Sequence, residues 1–268
     1  MPAIYAHLRF GEEVAKTLPE PFQGVIEKFP ESFALGTQGA DILFYHKPLK
    51  KNDIRKHGTY LHTFSGKDFF SAQKNKLSEE MDAIFAYVCG FLCHFTLDCL
   101  CHKYIDDHST EAVSHGKIES ELDKYLLRKD EKPIRGYNTA TPIHNQNGSA
   151  DAAAKILDES SDTIALSIKT MRKINGWFSK KCEPFHIIAH AFLKTAGMER
   201  KFGDMFLHKK DDPLCEETNA YLFEQFQKSI PYARALILEF FEKGSLENEL
   251  FRYNFSGVIT EENYARNN

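Results

Sequence analysis

Residues 90–102 read GFLCHFTLDCLCH, an apolar run that nevertheless carries His94, Asp98 and His102 at intervals of four. Four residues at about 100° each make slightly more than one helical turn, so on a helix these three side chains leave within an arc of roughly 80°. The surrounding residues, from Met81 to Ile105, are mostly Ala, Ile, Phe, Val, Leu and Cys, the composition of a helix buried on most of its surface. The uninterrupted apolar part, residues 83–95, is shorter than the roughly 20 residues a bilayer requires, and it leads into ionisable groups. A core helix is the reading that fits. A carboxylate buried there must be paired, hydrogen-bonded or metal-bound, because desolvating it alone costs several kcal/mol. The stretch alone leaves an Asp98–histidine ion pair and a metal site equally open.

Working outward, helical spacing recurs over 6–17, 20–29, 64–73, 80–105, 116–127, 151–178, 185–196 and 216–243, the last interrupted near Pro231. Pro19, Pro21 and Pro30 punctuate the first helices. Residues 36–58 read as a loop-rich region ending in a basic run, Lys47 to Lys56, and residues 130–149 as an exposed connection. No alternating strand series, internal repeat or low-complexity tract interrupts this pattern. The expected architecture is all-α, a single domain over 1–268.

The 268 residues are 42% hydrophobic and carry a net charge of −4, enough for a large core and contrary to a nucleic-acid binder with a broad basic surface. No nucleic acid is expected as a partner. The N-terminal stretch MPAIYAHLRFGEEVAKTL has no basic region followed by an apolar one, so a cytoplasmic location and six reduced core thiols are expected. Of the cysteines, Cys101 is the one near the His94 face.

A second pair at helical spacing, His115 and Glu119 in HGKIESELD, follows on the next expected helix, and isolated residues precede: His7 in YAHLRFG, Asp41 in LGTQGADILFY and His62 in HGTYLHTF. Taken alone, His115 and Glu119 read as a solvated pair. In order, His7, Asp41, His62, His94, Asp98, His102, His115 and Glu119 resemble the ligand series of the zinc-dependent phospholipase C family, whose helical fold is shared with single-strand-specific zinc nucleases. The resemblance runs over residues 3–125 and more faintly through DDPLCEETNAYLFEQF. It implies two or three zinc ions: one on Asp41, His62, His94 and Asp98, a second on His7 and Asp98, and a third on His102, His115 and Glu119. Asp98 would then be a bridging carboxylate. The implied reaction is phosphodiester hydrolysis by a zinc-activated water, with Asp41 and Asp98 in catalytic roles. The implied substrate is a phospholipid or another phosphodiester, with a transient membrane surface as a further partner.

The sequence departs from the secreted relatives in three respects. They begin with a tryptophan whose amine and carbonyl bind zinc. They place five residues between the bridging Asp and the next His, where DCLCH has three, the spacing of the glycosylphosphatidylinositol-cleaving phospholipase D branch. They have GPD where this chain has GAD. Two other readings stand beside the first: a nuclease or nucleotide phosphoesterase on the same fold, and a non-catalytic helical module braced by structural zinc. His57 competes with His62 for the ligand role, with the Gly58–His62 context favouring His62, whereas His186 and His190 read as a structural or surface pair.

Overall fold

The computed structural model describes residues 3–77, 81–195, 203–208, 210–243 and 245–260. It is all-helical: among these residues there is no strand, and β pairing is confined to the isolated bridges Ser65–Asn254 and Tyr253–Ile259. The helices are α1 Ile4–Ala15, α2 Glu20–Lys28, α3 Pro30–Gly36, α4 Asp53–Leu61, α5 Gly66–Gln73, α6 Ala83–His108, α7 His115–Lys129, α8 Ser149–Leu157, α9 Ser161–Phe178, α10 Glu183–Thr195 and α11 Glu216–Leu238. Between α3 and α4 lies a 3-10 turn, Gly39–Tyr45.

The quoted stretch sits in α6, the axis of the molecule. Its 26 residues rise roughly 39 Å at 1.5 Å each, and Asp82 caps its start by accepting from the backbone N–H groups of Ile84 and Phe85. By length and composition α6 could cross a membrane, but 89% of its most apolar window is buried against the rest of the protein. Helices α1, α3, α7, α8 and α11 pack around it, which is why nearly every face of α6 is apolar. Gly90 decides the closest crossing: a Cβ there would lie 2.3 Å from the Phe33 carbonyl oxygen, and one on Gly36 would lie 2.1 Å from the Tyr87 carbonyl oxygen. Only two glycines allow α3 and α6 to approach this closely, and the approach sets down the 3-10 turn beside His94.

A cluster of phenylalanines fills the core around the middle of α6. Phe69, Phe91, Phe95 and Phe251 surround Phe70 or Phe255 in mostly edge-to-face contacts with centroids 5.0–6.1 Å apart, the geometry aromatic quadrupoles favour. Residues 245–260 have no long helix, yet they are bound to the body: the Gly66 backbone N–H donates to the Tyr253 carbonyl at 2.8 Å.

Several elements differ from the sequence reading. The region 36–58 is not a loop, since it holds the 3-10 turn and most of α4, whose start is capped by Asn52 accepting from the Arg55 N–H. The helix expected over 151–178 is two helices, because Asp158 adopts φ 53° and ends α8 before Ser160 caps α9. Pro231 does not interrupt α11; its missing N–H and ring are accommodated inside the helix. Residues 130–148 are non-helical, α8 taking up Ser149, but the connection is not exposed throughout. Ala140 and Ile143 are fully buried, and Arg172 of α9 donates to the Ile143 carbonyl at 3.0 Å. Five of the six cysteines are buried free thiols, while Cys182 is exposed in the bend between α9 and α10. Residues 80 and 196, at the edges of two expected helices, lie outside the described residues, as do the side chains of Glu183 and His190.

Candidate metal centre

Five segments far apart in sequence bring the eight acidic and histidine residues to one place. Three come from α6, one per turn: His94, Asp98 and His102. His7 is delivered by α1, Asp41 by the 3-10 turn, His62 by the C-terminal end of α4, and His115 with Glu119 by the first turns of α7. Within this cluster three sets of ligand atoms lie within 4.8 Å of one another: His7, His94 and Asp98; Asp41, His62 and His94; His102, His115 and Glu119.

Asp98 is the hub. Its Oδ1 lies 3.2 Å from His7 Nε2 and 3.5 Å from His102 Nε2, while its Oδ2 lies 3.1 Å from His94 Nε2. His102 Nε2 is also 3.5 Å from Glu119, which is 3.3 Å from His115 Nε2, and His62 Nε2 is 3.1 Å from Asp41. Asp98, Glu119 and His94 are almost wholly buried. His94 is the residue common to two of the sets, but an imidazole presents one lone pair through Nε2. The two oxygens of Asp98 face different histidines, so the carboxylate is the group chemically able to be shared.

The second nitrogen of each histidine shows how the rings are held. His62 Nδ1 donates to the Gly58 carbonyl at 2.7 Å, His102 Nδ1 to the Phe255 carbonyl at 2.9 Å and His115 Nδ1 to Asp106 at 2.7 Å. Because all three partners are acceptors, Nδ1 carries the proton and Nε2 is turned toward the cluster, which is the arrangement of metal-ligating histidines. The orienting groups Gly58, Phe255 and Asp106 carried no signal in the sequence. Phe255 comes from a segment remote in sequence from all eight residues, and two of the acceptors are backbone carbonyls.

The cluster fits a cation better than a set of ion pairs. His94 Nε2 and Asp98 Oδ2 are 3.1 Å apart but not aligned for a hydrogen bond, and both are buried without another partner among the described residues, as are Nδ1 of His7 and Nδ1 of His94. Native proteins rarely leave buried polar atoms in this condition. Imidazole nitrogens and carboxylate oxygens are the donor set suited to zinc.

The charges are strongly coupled. Burial opposes ionisation of Asp98, yet the surrounding His102, His94 and His7 hold its carboxyl well below the usual range. Burial likewise opposes charge on His102, but Asp98 and Glu119 outweigh it and push the imidazole up to about 10. Asp41 is drawn down despite its burial, with His62 and His94 contributing.

The sequence model of a family described as zinc-dependent phospholipase C matches residues 6–182. The chain belongs to this family. The match takes in every one of the eight residues and runs through α9, well beyond the residues 3–125 that carry the resemblance. Membership makes the chain one of a family of zinc-dependent hydrolases, and gives its all-α architecture a family context. No curated protein and no solved structure matches the chain.

Among the described side chains, the other histidines fall outside the centre. His57 Nδ1 is 2.7 Å from Glu159, which leaves His62 as the α4 histidine at the cluster. His186 is buried, its Nε2 donating to the Lys180 carbonyl at 2.7 Å, and it packs against Phe206, a structural role. Cys101 is buried and belongs to none of the three sets.

One group the sequence reading passed over borders the centre. Asp123, one turn beyond Glu119 on α7, is buried, and its carboxylate accepts from the backbone N–H groups of Tyr5 at 3.1 Å and Ala6 at 2.8 Å. It caps α1 from another helix, where Ala3 supplies no side-chain cap. Burial pushes Asp123 up to about 8 even against these two donors. With Ser120, Tyr137, Asn175 and Ser179 it lines a cavity of about 20 Å³, room for a single water.

Proposed function

We propose that the protein is a zinc-dependent phosphodiesterase of phospholipase C type, acting on phospholipid-like substrates. The single observation that carries this reading is the burial of Asp98 and His94 with unmatched ligand atoms at the meeting point of three donor sets. His7 and Asp98 would hold one ion, Asp41, His62, His94 and Asp98 another, and His102, His115 and Glu119 a third. When bound, zinc supplies acidity to a coordinated water and positive charge against the phosphoryl oxygens.

The chain's own residues have distinct tasks in this reading. Asp98 is fixed by three histidines and serves as the shared carboxylate. Asp41 is the more accessible acid, its side chain 16% exposed against 3% for Asp98. Its exposure and its place at the edge of the cluster suit Asp41 to orient the attacking water. Phe255 packs on the rings of His62 and His94, with centroids 5.1 and 6.0 Å away, and keeps bulk water from that side of the centre.

The test is elemental analysis of protein purified without chelator or tag histidines, followed by assays on phospholipid and nucleotide diesters. Two or three zinc ions per chain, with release of a phosphorylated head group, are expected. Asp98→Asn should lower both zinc content and turnover while leaving the helical circular dichroism intact. Nucleotide esters cleaved in preference to lipids would redirect the substrate assignment. Zinc bound without any hydrolysis would make the metal structural, and absence of zinc after incubation with it would refute the reading.

A further inference from the structure

Residues 161–195 hold six basic residues (Lys169, Arg172, Lys173, Lys180, Lys181 and Lys194) against two acidic ones, in a chain whose net charge is −4. On α9 the inward positions are Ile164, Ile168, Met171 and Phe178, all buried. The outward positions Leu166, Lys169, Lys173 and Trp177, three or four apart, form one exposed stripe. Lys173 Nζ lies 5.0 Å from the centroid of the Trp177 ring, so cation and indole stand side by side at the surface. Trp177 is 45% exposed, and on α10 the consecutive Ile187 and Ile188 are 64% and 69% exposed, a costly arrangement for residues facing only water.

We propose that the exposed stripe of α9, with the exposed isoleucines of the helix that follows it, docks the protein on an anionic lipid bilayer. Aliphatic side chains and an indole flanked by lysines match the boundary between head groups and acyl chains, where apolar groups enter the bilayer and cations meet lipid phosphate. The branched side chains of Ile187 and Ile188 find no comparable partner on a nucleic acid. A second copy of the chain is disfavoured, because self-pairing through this surface would set Lys169 and Lys173 of one copy against the same lysines of the other. On the opposite, inward side of the same helix end, Asn175, Phe178 and Ser179 line the small cavity they share with Asp123. Docking here rests on the phosphodiesterase reading only for its purpose. The charge and exposure stand without it.

Trp177 is the sole tryptophan of the chain, so the unmodified protein carries its own reporter. Its fluorescence is titrated with vesicles of phosphatidylcholine alone and of phosphatidylcholine mixed with phosphatidylserine. A blue shift confined to the mixed vesicles, reversed by salt and accompanied by protection from aqueous quenchers, is the expected result. Lys169→Glu combined with Lys173→Glu, both at exposed positions, should weaken vesicle affinity about tenfold or more. The same variant should leave hydrolysis of a soluble short-chain diester unchanged. No shift with either vesicle, a shift equal with both, or binding indifferent to the lysine changes overturns the proposal. So does a shift that appears without vesicles as protein concentration rises, which would mark the surface as a contact between copies. Because the readout needs no turnover, vesicle binding by a chain that cleaves nothing would refute the enzymatic reading and leave the docking surface standing.

Discussion

Gly39 shows how narrowly single positions constrain the centre. It adopts φ +50°, and a Cβ there would lie 2.2 Å from His94 Cδ2, so Gly39→Ala both strains the backbone and drives the His94 ring off its place. We expect a loss of about 2 kcal/mol or more of stability and of at least one zinc ion, measured by chemical denaturation and elemental analysis. His102 gives a prediction of pH dependence. In the metal-free chain its pKa is raised to about 10 from 6.5, so the folded state binds the proton more tightly than the unfolded one. The resulting stability is fully present below pH 6.5 and is lost as pH rises toward 10. Zinc has the opposite dependence, because it needs the neutral imidazole and competes with that proton. Melting temperature of the metal-free protein should therefore fall across this range while the increment added by zinc grows; an increment that shrinks with rising pH would count against His102 as a ligand.

At the scale of elements, Asp123 ties α7 to the start of α1 and so holds His7 against Asp98. Removing its carboxylate by Asp123→Ala strands two buried backbone N–H groups, a loss of roughly 2 to 4 kcal/mol, readable by urea unfolding in the presence of chelator. Asp123→Asn keeps one acceptor and should lose about half as much. If both variants unfold like the parent, the clamp is unimportant. The differences between expected and observed helices belong to this scale as well. Asp158 divides α8 from α9 through a left-handed conformation that composition does not announce. Helix α4 hides in a polar, basic run because its apolar positions are few and its stability comes from capping by Asn52 and packing on the 3-10 turn.

For the whole molecule, the centre cross-links α1, α4, α6, α7 and the 3-10 turn, and Phe255 ties the C-terminal segment to it. Binding energy at such a site becomes folding energy. With zinc at a hundredfold its dissociation constant, one site contributes about 2.7 kcal/mol, and chelation should lower the melting temperature by roughly 5 to 10 °C. Scanning calorimetry with and without chelator measures this directly. A melting temperature unmoved by chelation would remove the metal from any part in holding the fold.

Local chemistry made much of this legible without coordinates. The intervals of four in His94, Asp98 and His102 can converge only on a helix, and the apolar residues between them require that helix to be buried, so the floor of the centre follows from α6, while the all-α class follows from helical spacing that recurs along the chain. The order of His7, Asp41, His62, His115 and Glu119 along the chain carried the family resemblance. Tertiary structure decided the rest. The partner of His57 is Glu159, about a hundred residues away in the chain. The second partners of the histidines are mostly backbone carbonyls, which every residue possesses and no sequence position advertises. The pairing of Asp123 with α1 spans more than a hundred residues. Such contacts arise only when packing around α6 removes water from groups that, in the unfolded chain, it satisfies equally well.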